Sequence, residues 1–185
     1  MAILMRAWLG RAILALVAAG WCAAAGAQST DGSVLERRIK AALLSQFAEF
    51  VTWPEAALGD TAAPFQIAIA GPALMVEELS QLTAGRSASG RPIRVRRLRE
   101  EDALSGIQIV YIAGVLTERT AELLRASPAQ PVLVVTDAEG ALAQGSVINF
   151  VLVEGKVRFE LSPAAAQRRG LQLSPRLVGV ALRRP

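Results

Sequence analysis

The sequence predicts a single α/β domain: a mixed, mostly parallel sheet of about five to six strands, helices on both faces and a C-terminal β-hairpin. Short apolar runs alternate with segments of helical periodicity between Phe65 and Val135, which is typical of parallel strands joined by helices. Two of these runs, Ile107–Ile112 and Val132–Val135, are almost wholly apolar, as in central strands covered on both faces. Two later runs flank Glu154-Gly155, a pair typical of a two-residue hairpin turn.

The first predicted element of the domain is a helix that begins at Ser33 and ends at Trp53-Pro54. Ser33 and Glu36 form a capping-box pattern, which satisfies backbone N–H groups at a helix start. The helix ends here because the residue before a proline is disfavoured in the helical region. Between these limits apolar residues recur at helical spacing: Leu35, Ile39, Leu43, Phe47 and Phe50.

Strands are predicted after this helix from apolar or alternating runs: Phe65–Ala70, Ile93–Leu98, Ile107–Ile112, Val132–Val135, Val147–Val153 and Lys156–Leu161. The run from Ile93 alternates apolar residues with arginines, which favours a position near a sheet edge. The repeated order of strand, helix and strand favours parallel pairing through right-handed crossovers.

The remaining helices are predicted from their start and stop signals. One follows Gly71-Pro72 and stops at Gly85, and a short one runs from Glu118 to Ala126. Two C-terminal helical pieces start at Ser162-Pro163 and Ser174-Pro175, each a capping residue followed by proline.

The N-terminal segment has the three parts of an export signal. Residues 1–11 are basic and carry no acid, residues 12–24 are mostly apolar, and Ala25-Gly26-Ala27 supplies the small residues needed for cleavage. We therefore predict a cleaved signal peptide at residues 1–27, a flexible leader at 28–32 and the α/β domain at 33–185.

The predicted location is the periplasm of a Gram-negative-type cell. No later apolar run approaches the roughly 20 residues of a membrane span. A retained N-terminal anchor is one alternative, disfavoured by the small residues before Gln28. Lipidation at Cys22 is another, disfavoured because the preceding Trp21 is too large for a lipobox.

Cleavage would change the chemistry available to the chain. The single cysteine, Cys22, would leave with the signal peptide, and the chain has no histidine. A disulfide, a thiolate nucleophile, a histidine base and a histidine-ligated metal are thereby excluded. The net charge would fall from +4 to +2, because Arg6 and Arg11 leave and no acid does. We therefore expect no nucleic-acid partner, no metal, no cofactor and no enzyme activity.

Two motifs at strand ends resemble phosphate sites only weakly. Gly71-Pro72 lacks the three glycines of a dinucleotide fingerprint and the lysine of a P-loop, so an ordinary turn is the better interpretation. Asp137 follows an apolar strand, where α/β sheets place ligands and where phospho-acceptor aspartates lie. Such aspartates need companion acids, and we interpret Asp137 as the start of a turn into Gly140.

Five motifs, in the right order, resemble the YfiR family of periplasmic proteins over Ala41–Ala181. The first is Phe-x-x-Phe-Val-x-Trp-Pro, which ends the first helix. The others are Gly-Arg-Pro-Ile before the second strand, Ile-Asn-Phe in the hairpin, Val-Arg-Phe-Glu after its turn, and a closing Gly-Leu-x-Leu-Ser-x-x-Leu. They correspond to Phe47–Pro54, Gly90–Ile93, Ile148–Phe150, Val157–Glu160 and Gly170–Leu177.

The resemblance implies a regulatory role. The best-understood member represses an inner-membrane diguanylate cyclase and so lowers cyclic di-GMP, and it carries disulfides tied to redox control. This sequence departs from that member, because no cysteine would survive maturation. Redox switching through disulfides is therefore excluded, and the identity of the partner is open.

Candidate contact residues lie at the end of the first helix: Phe47, Phe50, Trp53 and Pro54. Core packing is the favoured interpretation of the two phenylalanines, since they lie on an apolar helix face. An exposed tryptophan would suit a binding surface, because tryptophan is enriched at the centres of interfaces.

Candidate ligand residues are Arg91, Arg158 and Arg176, which belong to the resembling motifs, and Asn149, which lies inside an apolar strand. If the arginines converge, they could bind a carboxylate or a phosphate; if not, they are solvated charges. The buried amide of Asn149 must be hydrogen-bonded, either within the protein or to a ligand.

The leading hypothesis is therefore a periplasmic regulator that binds an inner-membrane diguanylate cyclase or histidine kinase. The alternative is a periplasmic protein that captures a nucleotide, an amino acid or a vitamin-like ligand. A homodimer is compatible with either.

Overall fold

The computed structural model describes residues 25–99, 101–114, 117–118, 120–122 and 130–182. The chain divides into two compact units, Met1–Arg37 and Arg38–Pro185. The described part of the first unit is helical, and the strands of the described residues all lie in the second unit. No helix in the described ranges is long and apolar enough to cross a membrane.

In chain order, the helices are α1 Ala25–Phe50, α2 Glu55–Leu58, α3 Ala73–Thr83, α4 Pro163–Arg168 and α5 Pro175–Val180. The strands are β1 Val51–Thr52, β2 Phe65–Ala70, β3 Ser87–Ala88, β4 Arg91–Arg97, β5 Ile109–Ile112, β6 Leu133–Thr136, β7 Ile148–Val153, β8 Lys156–Leu161 and β9 Gln172–Leu173.

The main sheet has seven strands in the order β3-β4-β2-β5-β6-β7-β8. Strands β4, β2, β5, β6 and β7 are parallel, whereas β3 and β8 pair antiparallel at the two edges. The predicted fold class is thus confirmed: a mixed, mostly parallel sheet with a C-terminal hairpin. The hairpin turn is at Glu154-Gly155, where both residues have positive φ, as a two-residue turn of type I′ requires.

One face of the sheet carries the larger core. Apolar residues of β2, β5, β6, β7 and β8 pack there against α1 and α3. Phe47 of α1 is 1% exposed and stacks on Phe150, with ring centroids 5.9 Å apart. Its ring also meets Phe159 edge-on, at 5.4 Å.

Of the apolar residues that predict α1, Phe47 is buried and Leu43 and Phe50 are half-buried, whereas Leu35 and Ile39 are exposed. The buried face of the helix is formed by Ala41, Leu44, Phe47 and Ala48. The predicted stripe is therefore right only near the C-terminal end of α1.

The opposite face carries a second, smaller core. Ala68, Val110, Ile112 and Val134 project to this side and pack with apolar residues of the connecting loops, namely Leu98, Leu104, Ile107 and Val132. The helix predicted over Glu118–Ala126 lies largely outside the described residues, although those described at 118 and 120–122 are helical.

Two local predictions are corrected by the structure. The first helix spans Ala25–Phe50, so it does not start at Ser33, and it does not continue to Trp53-Pro54 because Val51-Thr52 forms β1. Residues 28–32, the predicted leader, belong to this helix in the full chain. The state of this segment after cleavage stays a prediction. A two-stranded sheet of β1 and β9 was not predicted, because two-residue strands leave no periodic pattern.

The predicted C-terminal helix starts are confirmed. The Ser162 hydroxyl accepts a hydrogen bond from the Ala165 N–H at 3.2 Å, and the Ser174 hydroxyl accepts one from the Leu177 N–H at 3.3 Å. In each case proline follows at the first helical position. The predicted stop of α3 is also confirmed, since Gly85 adopts φ +71° just past the helix end.

Gly71 is required by a close approach between β2 and the end of β5. A Cβ at this position would lie 2.7 Å from the Cβ of Ala113.

We predict that Gly71→Ala lowers the free energy of unfolding by about 1–3 kcal/mol, because the backbone must shift. The matched control is Gly179→Ala in α5, where a Cβ meets nothing within 4 Å. We expect it to be neutral or to stabilise by up to about 1 kcal/mol in urea unfolding. Equal effects of the two variants would contradict this account.

Candidate functional site

The four candidate contact residues fall into two groups. Phe47 and Trp53 are buried, whereas Phe50 is half-buried and Pro54 is exposed. The Trp53 indole N–H donates to the carbonyl of Gln108 at 3.2 Å, and its ring meets Phe65 edge-on at 5.0 Å. Phe47 and Trp53 therefore fasten α1 and its exit to the sheet, and the accessible part of this motif is Phe50 and Pro54.

The structure does not bring the four candidate ligand residues together. Arg91 lies on β4 and Asn149 on β7, four strand positions apart in the sheet, which corresponds to about 19 Å. Arg158 on β8 and Arg176 on α5 are both exposed. These residues do not form one anion site.

Arg91 and Asn149 each have a structural role in the fold. The Arg91 guanidinium is buried and donates to the carbonyls of Gly59 and Asp60 at 3.0 and 3.2 Å, which ties the loop before β2 to β4. The Asn149 side chain accepts from the Thr136 hydroxyl at 2.8 Å and from the Ala138 N–H at 3.1 Å. It also donates to Glu160 at 3.2 Å. The amide is therefore satisfied within the protein.

Asp137 forms a polar site that joins α1, the end of β5 and the end of β6. It lies at the carboxyl end of β6, and its carboxylate accepts from Lys40 Nζ at 2.7 Å and from the Tyr111 hydroxyl at 2.6 Å. The backbone N–H of Gly114, just past β5, donates to its other oxygen. The side chains of Lys40 and Asp137 are only 10% and 13% exposed. The pair therefore links α1 to the carboxyl edge of the sheet.

The charge of Asp137 is stabilised despite its burial. Burial by itself raises the pKa of this carboxyl group. The hydrogen bonds from Lys40, Tyr111 and Gly114, with the positive charge of Lys40, outweigh that effect and hold the pKa of Asp137 below its ordinary value of 3.8. Asp137 is thus held ionised, with at least one protein donor on each oxygen, and its lowered pKa makes it a weaker base.

The spacing of Lys40 from two apolar residues indicates that its side chain is buried. Lys40 precedes Leu44 and Phe47 by four and seven residues, so it lies on the buried face of α1. A lysine at such a position needs a buried acid, and an aspartate after a central strand is the natural partner.

In the described ranges, no group of three or more acidic, cysteine or histidine residues could hold a metal ion.

A cleft of about 550 Å³ opens at the amino ends of β2, β5 and β6. Its walls are α2 with the loop before β2, and the loops that precede β5 and β6. Pro54 lies at its border, and Gln108 stands behind it, with its amide bonded to Ala57 O at 2.8 Å and to Gln66 N at 2.7 Å. Most of its lining comes from loops and from the four-residue helix α2, which leave no periodic pattern in the sequence.

The Lys40–Asp137 pair makes a testable contribution to stability. We predict that Lys40→Met and Asp137→Asn each lower the free energy of unfolding by about 3 kcal/mol, because each leaves a buried partner uncompensated. The double variant should lose clearly less than the two single effects together, with a coupling of about 1 kcal/mol or more. Urea unfolding of the four proteins measures this. Additive losses would show that the two side chains do not interact.

The same pair predicts a pH dependence. Because the pKa of Asp137 is lowered on folding, its stabilisation is complete above the unfolded value of about 3.9. It is lost as the pH falls through the lower, folded value. The stability gap between wild type and Asp137→Asn should be constant from pH 7 to about pH 5, then shrink towards pH 2. A gap that is unchanged at low pH would contradict the assignment.

Comparison with protein-family models matches residues 37–182 to the YfiR/HmsC-like family. The match spans all strands of the described residues and the part of α1 that packs on the sheet. A search among curated proteins gave no significant match. The matched family is regulatory rather than catalytic, and its members are periplasmic. With well over half of its length matched, the chain belongs to the YfiR/HmsC-like family.

Proposed function

We propose that this protein is a periplasmic regulator that binds an inner-membrane signalling protein and changes its output. A diguanylate cyclase, and hence cyclic di-GMP signalling, is the first choice of partner, and a histidine kinase is the second. The single observation that carries the proposal is the family match over residues 37–182. The predicted export signal at residues 1–27 supports the location.

The polar groups of the described residues support a binding protein over a catalyst. The carboxylate of Asp137 and the amide of Asn149 are both satisfied by protein donors and acceptors. The arginines Arg158 and Arg176 are exposed and lie apart from the buried Arg91. A regulator of this kind works by binding one state of its partner more tightly than the other, which shifts the equilibrium between them.

The contact surface that we propose is the exit of α1. Pro54 is exposed there and Phe50 is half-buried. Phe47 and Trp53 lie beneath and hold this exit on the sheet. Pro54 offers a rigid apolar contact, which suits an interface because little side-chain freedom is lost on binding. The alternative of ligand capture at Arg91, Asn149, Arg158 and Arg176 is not supported by their positions.

The first prediction concerns the partner. Crosslinking in whole cells, followed by purification of the full chain from the envelope, should recover a membrane cyclase or kinase that mass spectrometry identifies. Pro54→Glu should reduce that crosslink, because a charge at an apolar contact is costly to desolvate. The matched control is Pro72→Glu, at an exposed proline that, like Pro54, directly precedes a helix but lies at the carboxyl end of β2. Its crosslink should equal that of wild type.

The outcomes separate the role from the surface. Recovery of no signalling protein with wild type would contradict the regulatory role. Equal crosslinks for Pro54→Glu and wild type would contradict only the contact surface.

The second prediction concerns the output. If the partner is a cyclase that the protein represses, deletion of the gene should raise cellular cyclic di-GMP, and expression of the full chain should restore it. Mass spectrometry of cell extracts measures the nucleotide. Unchanged cyclic di-GMP combined with a crosslinked histidine kinase would identify the second choice of partner.

A further inference from the structure

We propose that the cleft at the amino ends of β2, β5 and β6 is a binding site for an uncharged, largely apolar small molecule. The inference goes beyond the proposed regulation of a membrane protein and does not depend on it. The cleft measures about 550 Å³, which lies within the roughly 300–1,000 Å³ of small-molecule sites.

The lining determines the class of ligand. Among the described residues that line the cleft, none carries a charge, and most are alanine, proline, glycine or larger aliphatic residues. The larger aliphatic ones are Leu58, Leu104, Ile107 and Val132. A charged ligand would lose its hydration here without gaining a counter-charge, which is unfavourable. The site therefore matches a neutral molecule.

The polar groups of the lining also divide into two kinds. Gln108 is 2% exposed, and its amide is used within the wall, where it donates to Ala57 and accepts from Gln66. Ser105 and Gln130 are exposed side chains of the lining. They can offer a neutral ligand one or two hydrogen bonds, which is the usual pattern of a few polar groups in an apolar pocket.

The walls of the cleft are held in place before any ligand binds. Arg91 fixes the loop before β2 through the carbonyls of Gly59 and Asp60. Gln108 fixes α2 through the carbonyl of Ala57, and the Trp53 indole holds the backbone of Gln108 from behind. Pre-organised walls reduce the ordering cost of binding. They also make the Trp53 indole N–H a reporter of the cleft.

Three probes of one skeleton test the inference: benzyl alcohol, benzoate and benzylammonium. The full chain is titrated with each at millimolar concentration, and its N–H signals are followed by two-dimensional proton–nitrogen NMR. The Trp53 indole signal is assigned by its loss in Trp53→Phe. Benzyl alcohol should shift the signals of Trp53, Gly59 and Gly106 and leave that of Gly155 unmoved, whereas the two charged probes should shift none of them at the same concentration.

Two neighbouring alanines supply a matched pair of variants. Ala63 lines the cleft, whereas the exposed Ala62 does not. Ala63→Leu should weaken benzyl alcohol binding at least tenfold by filling the cleft, and Ala62→Leu should bind like wild type. Gln130→Glu, at an exposed position of the lining, keeps the test valid if Ala63→Leu fails to fold. Its carboxylate should also weaken the neutral probe.

Three outcomes would overturn the inference. The first is the absence of any shift with benzyl alcohol, or equal binding of the charged probes. The second is unchanged binding in both Ala63→Leu and Gln130→Glu. The third is a shift of the same signals when the protein alone is concentrated, which would make a second copy of the chain the occupant. None of these results bears on the crosslinked membrane partner, so the two proposals fail separately.

Discussion

The burial of one face of α1 on the sheet is the constraint on which the rest of the domain depends. Phe47 lies between Phe150 and Phe159, so the helix covers the hairpin end of the larger core. Lys40, seven residues earlier, reaches the carboxyl edge of the sheet and pairs with Asp137. The Phe47 contact is apolar and non-directional, whereas the Lys40–Asp137 contact is polar and specific. Together they fix the position of the helix on the sheet and its rotation about its own axis.

The carboxyl ends and the amino ends of the parallel strands have different characters. At the carboxyl ends, where α/β proteins commonly bind ligands, the carboxylate of Asp137 accepts hydrogen bonds from Lys40, Tyr111 and Gly114. At the amino ends, Gln108 and Arg91 donate hydrogen bonds to backbone carbonyls in the walls of an open cleft. The described residues that line this cleft carry no charge. Buried polar groups thus hold α1 to the carboxyl ends of the strands and fix the walls of the cleft at their amino ends. Pro54 borders this cleft and also belongs to the proposed contact surface.

Several residues of the motifs that resemble the family are buried parts of the scaffold. Trp53 and Phe47 are candidate contact residues in the sequence, but both side chains are buried in the core. Arg91 resembles a ligand-binding arginine, yet it holds a loop through backbone carbonyls. Asn149 connects Thr136, Ala138 and Glu160 across three neighbouring segments. Motifs of this kind maintain a scaffold, and a scaffold that presents a surface is what a binding protein requires.

The sequence by itself determined the elements whose cause is local: the helical state of α1, the apolar runs of the central strands, the turn at Glu154-Gly155 and the caps at Ser162 and Ser174. Periodicity, capping and turn chemistry act within a few residues, so they can be predicted from one chain. Only the tertiary structure decided that Lys40 meets Asp137, that the arginines stay apart and that loops enclose a cleft. Those outcomes depend on contacts between residues distant in sequence, which no local pattern specifies.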